Sequence, residues 1–326
     1  MQAIIIKNFA DNIDLQMQTM SLSAPEAHEV KVKIKAAGVN QADLLQAQGK
    51  YPAPFGYPKD IPGLEFAGVI KQVGSNVQKF KTGDRVFGLT GGGAYADEIN
   101  IHAQCLAKIP ESISFVEAAA IPEVFITAYD ALVTQMKLSM GESLLISAIG
   151  SGVGLAAMQI AQNMGVKVIG TSRSIDKLEK ASALGLTHGL CVKEGNFSAA
   201  VKEIIPTGVN VVLELVGGDY LIEDIECTAI KGRIILVGLL AGRKANIDLG
   251  KVLSKRLLLK GTTLRARSLE EKILANQILE NNLVPLINEG KLKPVIDEIF
   301  PLKDAQAALK YLSTSANFGK IVLDCD

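Results

Sequence analysis

The sequence has no excess of charge of either sign: Lys plus Arg and Asp plus Glu each number 34 among 326 residues. No surplus of cations attracts a phosphate backbone, and aromatics at 5% offer little for single strands to stack on, so no nucleic-acid partner is expected. Only four cysteines occur, Cys105, Cys191, Cys227 and Cys325. They are far apart and form no C-x-x-C pair, which excludes a disulfide framework and suits reduced thiols. The histidines His28, His102 and His188 lack liganding neighbours at metal-site spacing. No stretch approaches the roughly 18 apolar residues of a spanning helix, and the most apolar run, Ile234 to Leu240, is ended by Gly242, Arg243 and Lys244. The N-terminal MQAIIIKNFADN has neither the basic flank nor the cleavage site of a signal peptide. These absences predict a soluble, cytoplasmic protein with no membrane partner.

What is present is material for two domains. Hydrophobic residues make up 48% and charged residues 21%, with 30 glycines and 11 prolines, a globular balance. From Met1 to about Ile121 the chain is broken by Gly and Pro and carries short alternating runs such as Val30 to Lys35 and Leu64 to Ile70. Alternation with lysines on one side describes a sheet with one wet face, so this third is expected to be all-β. After Pro122 come apolar runs of strand length separated by helical segments: 144–149, 166–171, 189–192, 209–215, 233–238 and 257–260. Such strands predict a parallel sheet covered on both faces, because parallel strands need crossover connections. Residues 269–288 read as helix, and 295–300, 305–312 and 320–323 as short mixed elements that rejoin the first domain. No internal repeat or low-complexity linker is found.

The run 144–149 leads into Gly150-Ser151-Gly152-Val153-Gly154 and then a helical face of Val153, Ala157, Ile160, Ala161 and Met164. Strand, glycine turn and helix together make a pyrophosphate site, since sparse Cβ atoms admit the ligand and first-turn N–H groups hold it. The third glycine falls one residue earlier than in G-x-G-x-x-G. The next strand ends in Gly170-Thr171-Ser172-Arg173-Ser174, with no acid to accept hydrogen bonds from ribose hydroxyls. Arg173, Ser174 and Lys177 instead supply donors where a 2′-phosphate would lie, which predicts NADPH over NADH. The same residues also suit a helix start with Ser174 as N-cap and solvated basic groups behind it.

Six segments resemble the zinc-independent quinone oxidoreductases, the zeta-crystallin-like branch of the medium-chain dehydrogenase/reductase superfamily. They are Ala37-Gly38-Val39-Asn40-Gln41-Ala42-Asp43, Pro62-Gly63-Leu64-Glu65-Phe66-Ala67-Gly68, Lys81-Thr82-Gly83-Asp84-Arg85-Val86, Ala118-Ala119-Ala120-Ile121-Pro122, Ser151-Gly152-Val153-Gly154 and Asn317-Phe318-Gly319-Lys320-Ile321-Val322. The similarity runs nearly end to end. It implies an α/β protein with a GroES-like β-barrel catalytic domain from residues 1–122 and 266–326, a Rossmann-like doubly wound parallel sheet over 123–265, and a cleft where they meet. In the zinc-dependent alcohol dehydrogenases of this superfamily a Cys in the first motif and a His-Glu pair in the second hold the metal. Here Asn40 stands for the Cys and Leu64 for the His, and Glu65 alone remains, so the resemblance implies no metal and a structural Glu65.

Alcohol oxidation needs a Lewis acid to hold the alkoxide, whereas an electron-poor acceptor takes hydride without one. The implied activity is NADPH:quinone oxidoreduction on a small-molecule quinone or enone. The alternatives are an NADPH-dependent enone, enal or enoyl-thioester reductase, and a non-catalytic NADPH-binding protein of crystallin-like or RNA-binding kind. The family places Asn40 and Tyr51 near nicotinamide and substrate, as donors to the developing anion. Asn40 could equally cap a helix at Gln41, and Tyr51 could cover a hydrophobic edge. Resemblance also puts Thr127 on the nicotinamide amide, Ser151, Gly152, Val153 and Gly154 on the pyrophosphate, and Arg173, Ser174 and Lys177 at the adenosine phosphate. The same resemblance implies Val216 and Gly217 beside the ribose, and Leu239, Leu240 and Asn317 closing over the cofactor. Relatives often have a tyrosine where this chain has Val192. Family analogy further implies a homodimer, with apolar sheet edges around Arg233–Gly238 and Leu257–Lys260 as contacts.

Overall fold

The structure, a computed structural model, describes residues 1–193 and 195–326. The chain forms two compact units, Met1–Ile126 with Leu264–Asp326, and Thr127–Thr263. In chain order the strands are β1 (Gln2–Asn8), β2 (Asp14–Thr19), β3 (Glu29–Val39), β4 (Glu65–Val73), β5 (Arg85–Leu89), β6 (Glu98–His102) and β7 (Leu106–Lys108), all in the first unit. The second unit holds β8 (Ser143–Ile146), β9 (Lys167–Ser172), β10 (His188–Cys191), β11 (Val209–Glu214), β12 (Thr228–Leu236) and β13 (Leu258–Gly261). β14 (Ile296–Pro301) and β15 (Lys320–Asp324) return to the first.

In the first unit a sheet of order β14-β15-β3-β4-β5-β7, with β6 also on β3, is antiparallel except for the β14–β15 pair. The alternation read in β3 is borne out: Val30, Val32 and Ile34 are buried, while Lys33 is exposed and Lys31 and Lys35 are partly so. From Ala36 to Val39 alternation stops and every residue is buried, which carries the end of β3 into the core. Ile321 of β15 lies opposite Val39, and Phe66 of β4 opposite Ala37. This register brings Lys320, Asn40 and Glu65 to one end of three adjacent strands, although 280 residues separate the first two.

The second unit is a six-stranded, fully parallel sheet of order β10-β9-β8-β11-β12-β13. Helices Gly152–Asn163, Ile175–Ala183, Ser198–Ile204, Tyr220–Cys227 and Leu249–Lys255 make the crossovers. All six strands match runs read from the sequence. The order reverses between β8 and β11, which is where an open α/β sheet presents its ligand crevice.

Two expectations are corrected. Arg233–Leu236 is not an edge: β12 pairs with β11 on one side and β13 on the other, so the Arg233–Gly238 run is interior and the edge is β13. The face of helix Gly152–Asn163 is also broader than the expected stripe. Leu155, Ala156 and Met158 are buried with Ala157, Ile160 and Ala161, whereas Val153 and Met164 are half-buried, because the helix is apolar nearly all round.

Candidate active site

In the first unit the end of β3 is built around a buried ion pair. The Lys320 Nζ donates to Glu65 Oε1 at 2.6 Å, to Asn40 Oδ1 at 2.7 Å and to the Val39 carbonyl at 2.8 Å. Asn40 Nδ2 donates to the same Glu65 Oε1 at 2.8 Å, and the Glu123 amide donates to Glu65 Oε2 at 2.7 Å. The side chains of Lys320 and Glu65 are 4% and 0% exposed. Gly38 makes room for the carboxylate, since a Cβ there would lie 2.2 Å from Glu65 Oε1 and 2.6 Å from the Ala119 carbonyl. The Asn40 side chain is therefore committed to Glu65 and Lys320, and helix Gln41–Ala47 is started by Asp43, whose Oδ2 accepts the Asn40 N–H at 2.9 Å.

Asp43 extends the network. Its Oδ1 accepts the Gly63 N–H at 2.9 Å, and the fully buried Tyr95 hydroxyl donates to its Oδ2 at 3.2 Å. Burial outweighs these donors and pushes the carboxyl up to about 6. Arg265, itself buried, donates to the carbonyls of Gly91 and Tyr51, both at 3.0 Å, and to Gln46 Oε1, and its guanidinium lies 5.1 Å from the Tyr51 ring centroid. Backbone bond and cation–π contact together aim the half-buried Tyr51. Burial raises the Tyr51 phenol above its ordinary range. Glu123, in the first turn of helix Pro122–Tyr129, is pushed up to about 8 by burial and then by the Glu65 charge, so its carboxyl carries a proton at neutral pH.

In the second unit, β8 ends in a turn where Ala148 adopts φ +50°, a left-handed conformation that costs about 1 kcal/mol for a residue with a Cβ. A Cβ on Gly154 would lie 2.8 Å from the carbonyls of both Ala148 and Ile149, so only glycine lets the helix start this close to the strand. Ser151 caps it, its Oγ accepting the Gly154 N–H at 3.1 Å, and the amides of Gly152 and Val153 are first-turn groups without intrahelical acceptors. Ser174 Oγ accepts the Lys177 N–H at 3.4 Å, so it is an N-cap, beside the exposed Arg173. Thr171 Oγ1, buried at the end of β9, has no hydrogen-bond partner among the described residues. Glu214 closes β11 and accepts the N–H groups of Val216 and Gly217, the latter at 2.6 Å. These features fit a dinucleotide: open amides at a helix N-terminus, an unpartnered hydroxyl and cationic donors at the end of the neighbouring strand.

The residues read from the sequence thus fall into two groups. Thr127, Ser151 to Gly154, Arg173, Ser174, Lys177, Val216, Gly217 and the exposed Leu239 and Leu240 belong to the second unit, at or after the carboxyl ends of its strands except Thr127. Asn40, Tyr51 and Asn317 belong to the first, where Asn317 Nδ2 donates to the Gly319 carbonyl at 2.8 Å. Sequence reading missed Lys320, Arg265 and Glu123. Lys320 had a signal, since it stands three residues after Asn317 within a motif already singled out.

The chain matches the family described as alcohol dehydrogenase GroES-like domain over residues 26–111 and that described as zinc-binding dehydrogenase over 152–279. It is 32% identical to quinone oxidoreductase-like protein 2 of Bos taurus, over 91% of this chain and 85% of that protein. Among solved structures, the Escherichia coli quinone oxidoreductase complexed with NADPH is 31% identical with a TM-score of 0.88, covering 99% of both chains. The CurK enoyl reductase is 28% identical with a TM-score of 0.86, covering 99% of this chain and 98% of that one. The zinc in one family description finds no fit here. An ammonium occupies the oxygens of Asn40 and Glu65, Leu64 is a buried hydrocarbon, and no group of three or more His, Cys, Asp or Glu suited to a metal occurs among the described residues.

Proposed function

Because the chain belongs to the quinone oxidoreductase branch of the medium-chain dehydrogenase/reductase superfamily, we propose that it is a zinc-independent NADPH:quinone oxidoreductase. The observation that carries the reading is the ammonium of Lys320 on the oxygens of Glu65 and Asn40. With no Lewis acid to hold an alkoxide, the site suits an acceptor already electron-poor enough to take hydride. Bound NADPH supplies that hydride. The amides of Gly152 and Val153 hold its pyrophosphate, and Arg173, with Ser174 and Lys177, reads the ribose 2′-phosphate. Thr127, Val216, Gly217, Leu239 and Leu240 complete the cofactor site of the second unit, and Asn317, in the first unit, is assigned a cofactor contact by resemblance alone. Tyr51, aimed by Arg265, donates a hydrogen bond and then a proton to the acceptor oxygen as charge develops.

The enoyl reductase likeness favours a second reading, reduction of an enone, enal or enoyl thioester, since hydride addition to a conjugated carbon uses the same groups. A steady-state panel of ortho- and para-quinones, enals and acyl thioesters with NADPH separates the two. Higher kcat/KM for quinones is expected, and a clear preference for thioesters would reverse the assignment.

We further propose a cytoplasmic homodimer joined through β13, whose four residues are all exposed and include Leu258 and Leu259. All four cysteines are free, as a reducing compartment requires, and no helix among the described residues is long and apolar enough to cross a membrane. Sedimentation of a lone monomer at micromolar concentration would reject the dimer.

A further inference from the structure

We propose that Lys320 is the fixed internal cation of this site, a positioning residue that sets the Asn40 amide and the Glu65 carboxylate as a bound metal would otherwise do. The proposal deepens the reductase reading and rests on it for the kinetic part of its test only.

A lysine ammonium has three N–H donors and no acceptor, and here three oxygens at 2.6, 2.7 and 2.8 Å use all of them. Nothing is left over for a substrate, so Lys320 acts through its neighbours. Its first effect is on Asn40. An amide can face either way, but an ammonium accepts only the oxygen end and a carboxylate only the nitrogen end, so Lys320 and Glu65 together fix one orientation. Oδ1 and one Nδ2–H are thereby committed, and the second Nδ2–H, loosely held by the Gly38 carbonyl at 3.5 Å, is the remaining donor of the amide. The direction of that donor is set by the cation.

The surroundings are shaped for the same purpose. Gly319, immediately before Lys320, has φ +95°, and a Cβ there would lie 2.3 Å from the Val295 carbonyl. Gly38 leaves the space that Glu65 Oε1 fills. A buried ion pair gives little net stability compared with well-packed apolar residues, so its presence is better explained by the geometry that it imposes. The same contacts close the nest to a divalent ion, because the oxygens are occupied and the ammonium would repel it.

The test uses Lys320→Ala, which vacates a space the size of propylammonium, together with the neutral pair Lys320→Met/Glu65→Gln. Folding of each is checked by circular dichroism and thermal unfolding. With para-benzoquinone, Lys320→Ala should lose about hundredfold in kcat, the scale of a lost oriented donor, while KM for NADPH stays near wild type. Added propylammonium should restore turnover and 1-propanol should not. The neutral pair should fold and remain slow, which keeps the proposal testable if Lys320→Ala fails to fold. Wild-type kcat in either variant, or equal rescue by the alcohol, would overturn it. If the wild-type protein reduces no quinone or enone, the reductase reading fails but the cation nest is still decided. Propylammonium alone should then raise the melting temperature of Lys320→Ala, and no change would overturn the proposal.

Discussion

The two units each bury a glutamate at the end of a strand and handle its charge in opposite ways. In the first, Glu65 meets a cation, Lys320, and shares it with Asn40. In the second, Glu214 meets another acid. Its Oε1 is held by the amides of Val216 and Gly217, and its neighbour Asp224 is driven far above the carboxylate range by burial and then by the Glu214 charge, so that Asp224 keeps a proton with which to bond Glu214. In the first unit the cation preserves the charge of Glu65 and fixes the direction of the Asn40 amide. Backbone amides hold the Glu214 carboxylate, and the proton kept by Asp224 spares the second unit a second buried negative charge beside it.

The same substitution should therefore cost different amounts. Glu65→Gln leaves a buried ammonium against a neutral group and should lower stability by about 3 kcal/mol. Glu214→Gln keeps an oxygen for the two amides and should cost about 1 kcal/mol or less. Urea unfolding of the two variants measures this, and equal losses would erase the distinction. A smaller, kinetic contrast follows. Tyr51→Phe should reduce kcat by about tenfold to hundredfold while NADPH affinity stays normal, because a donor to the developing anion is lost. An unchanged kcat would demote Tyr51 to packing.

The acids also differ from ordinary carboxyls in how they couple folding to pH. Glu123, at about 8, and Asp43, at about 6, hold protons in the folded chain that the unfolded chain has released above the usual carboxyl range. Folding takes up protons in that window, so each group makes stability fall as pH rises from its unfolded value through its folded value. Glu123→Gln should flatten the upper part of the decline, towards pH 8, in a plot of melting temperature against pH. Parallel curves for the two proteins would contradict the assignment. A further contrast, in cofactor choice, belongs to the second unit. Arg173→Ala should weaken NADPH by about tenfold, the value of one charge-assisted bond, and leave NADH unchanged in fluorescence titrations. Equal weakening of both would remove Arg173 from phosphate reading.

Local pattern carried most of the fold. The parallel strands β8 to β13 are apolar runs bounded by turns, and the lysines of β3 mark its wet side. Sites assembled by register were less legible. Asn40 and Glu65 stood out through motifs, but the partner that explains both lies on β15, and its contact depends on Ile321 pairing with Val39. Arg265 is polar, in a stretch without periodicity, and nothing nearby in sequence announces that Tyr51 lies beneath it. Asp224 sits on an amphipathic helix where an acid normally faces water, and here that position is buried. An apolar strand looks alike in sequence whether it has one neighbour or two, so β12, paired on both sides, reads as an edge.

The activity we propose is hydride transfer from NADPH to a quinone without a metal. Its most direct test is an anaerobic single turnover with NADPH deuterated at the transferring position, para-benzoquinone as acceptor and a chelator present. A primary isotope effect on NADPH oxidation, with one hydroquinone formed per NADPH, is the predicted result. No oxidation, or activity that disappears with the chelator, would contradict it.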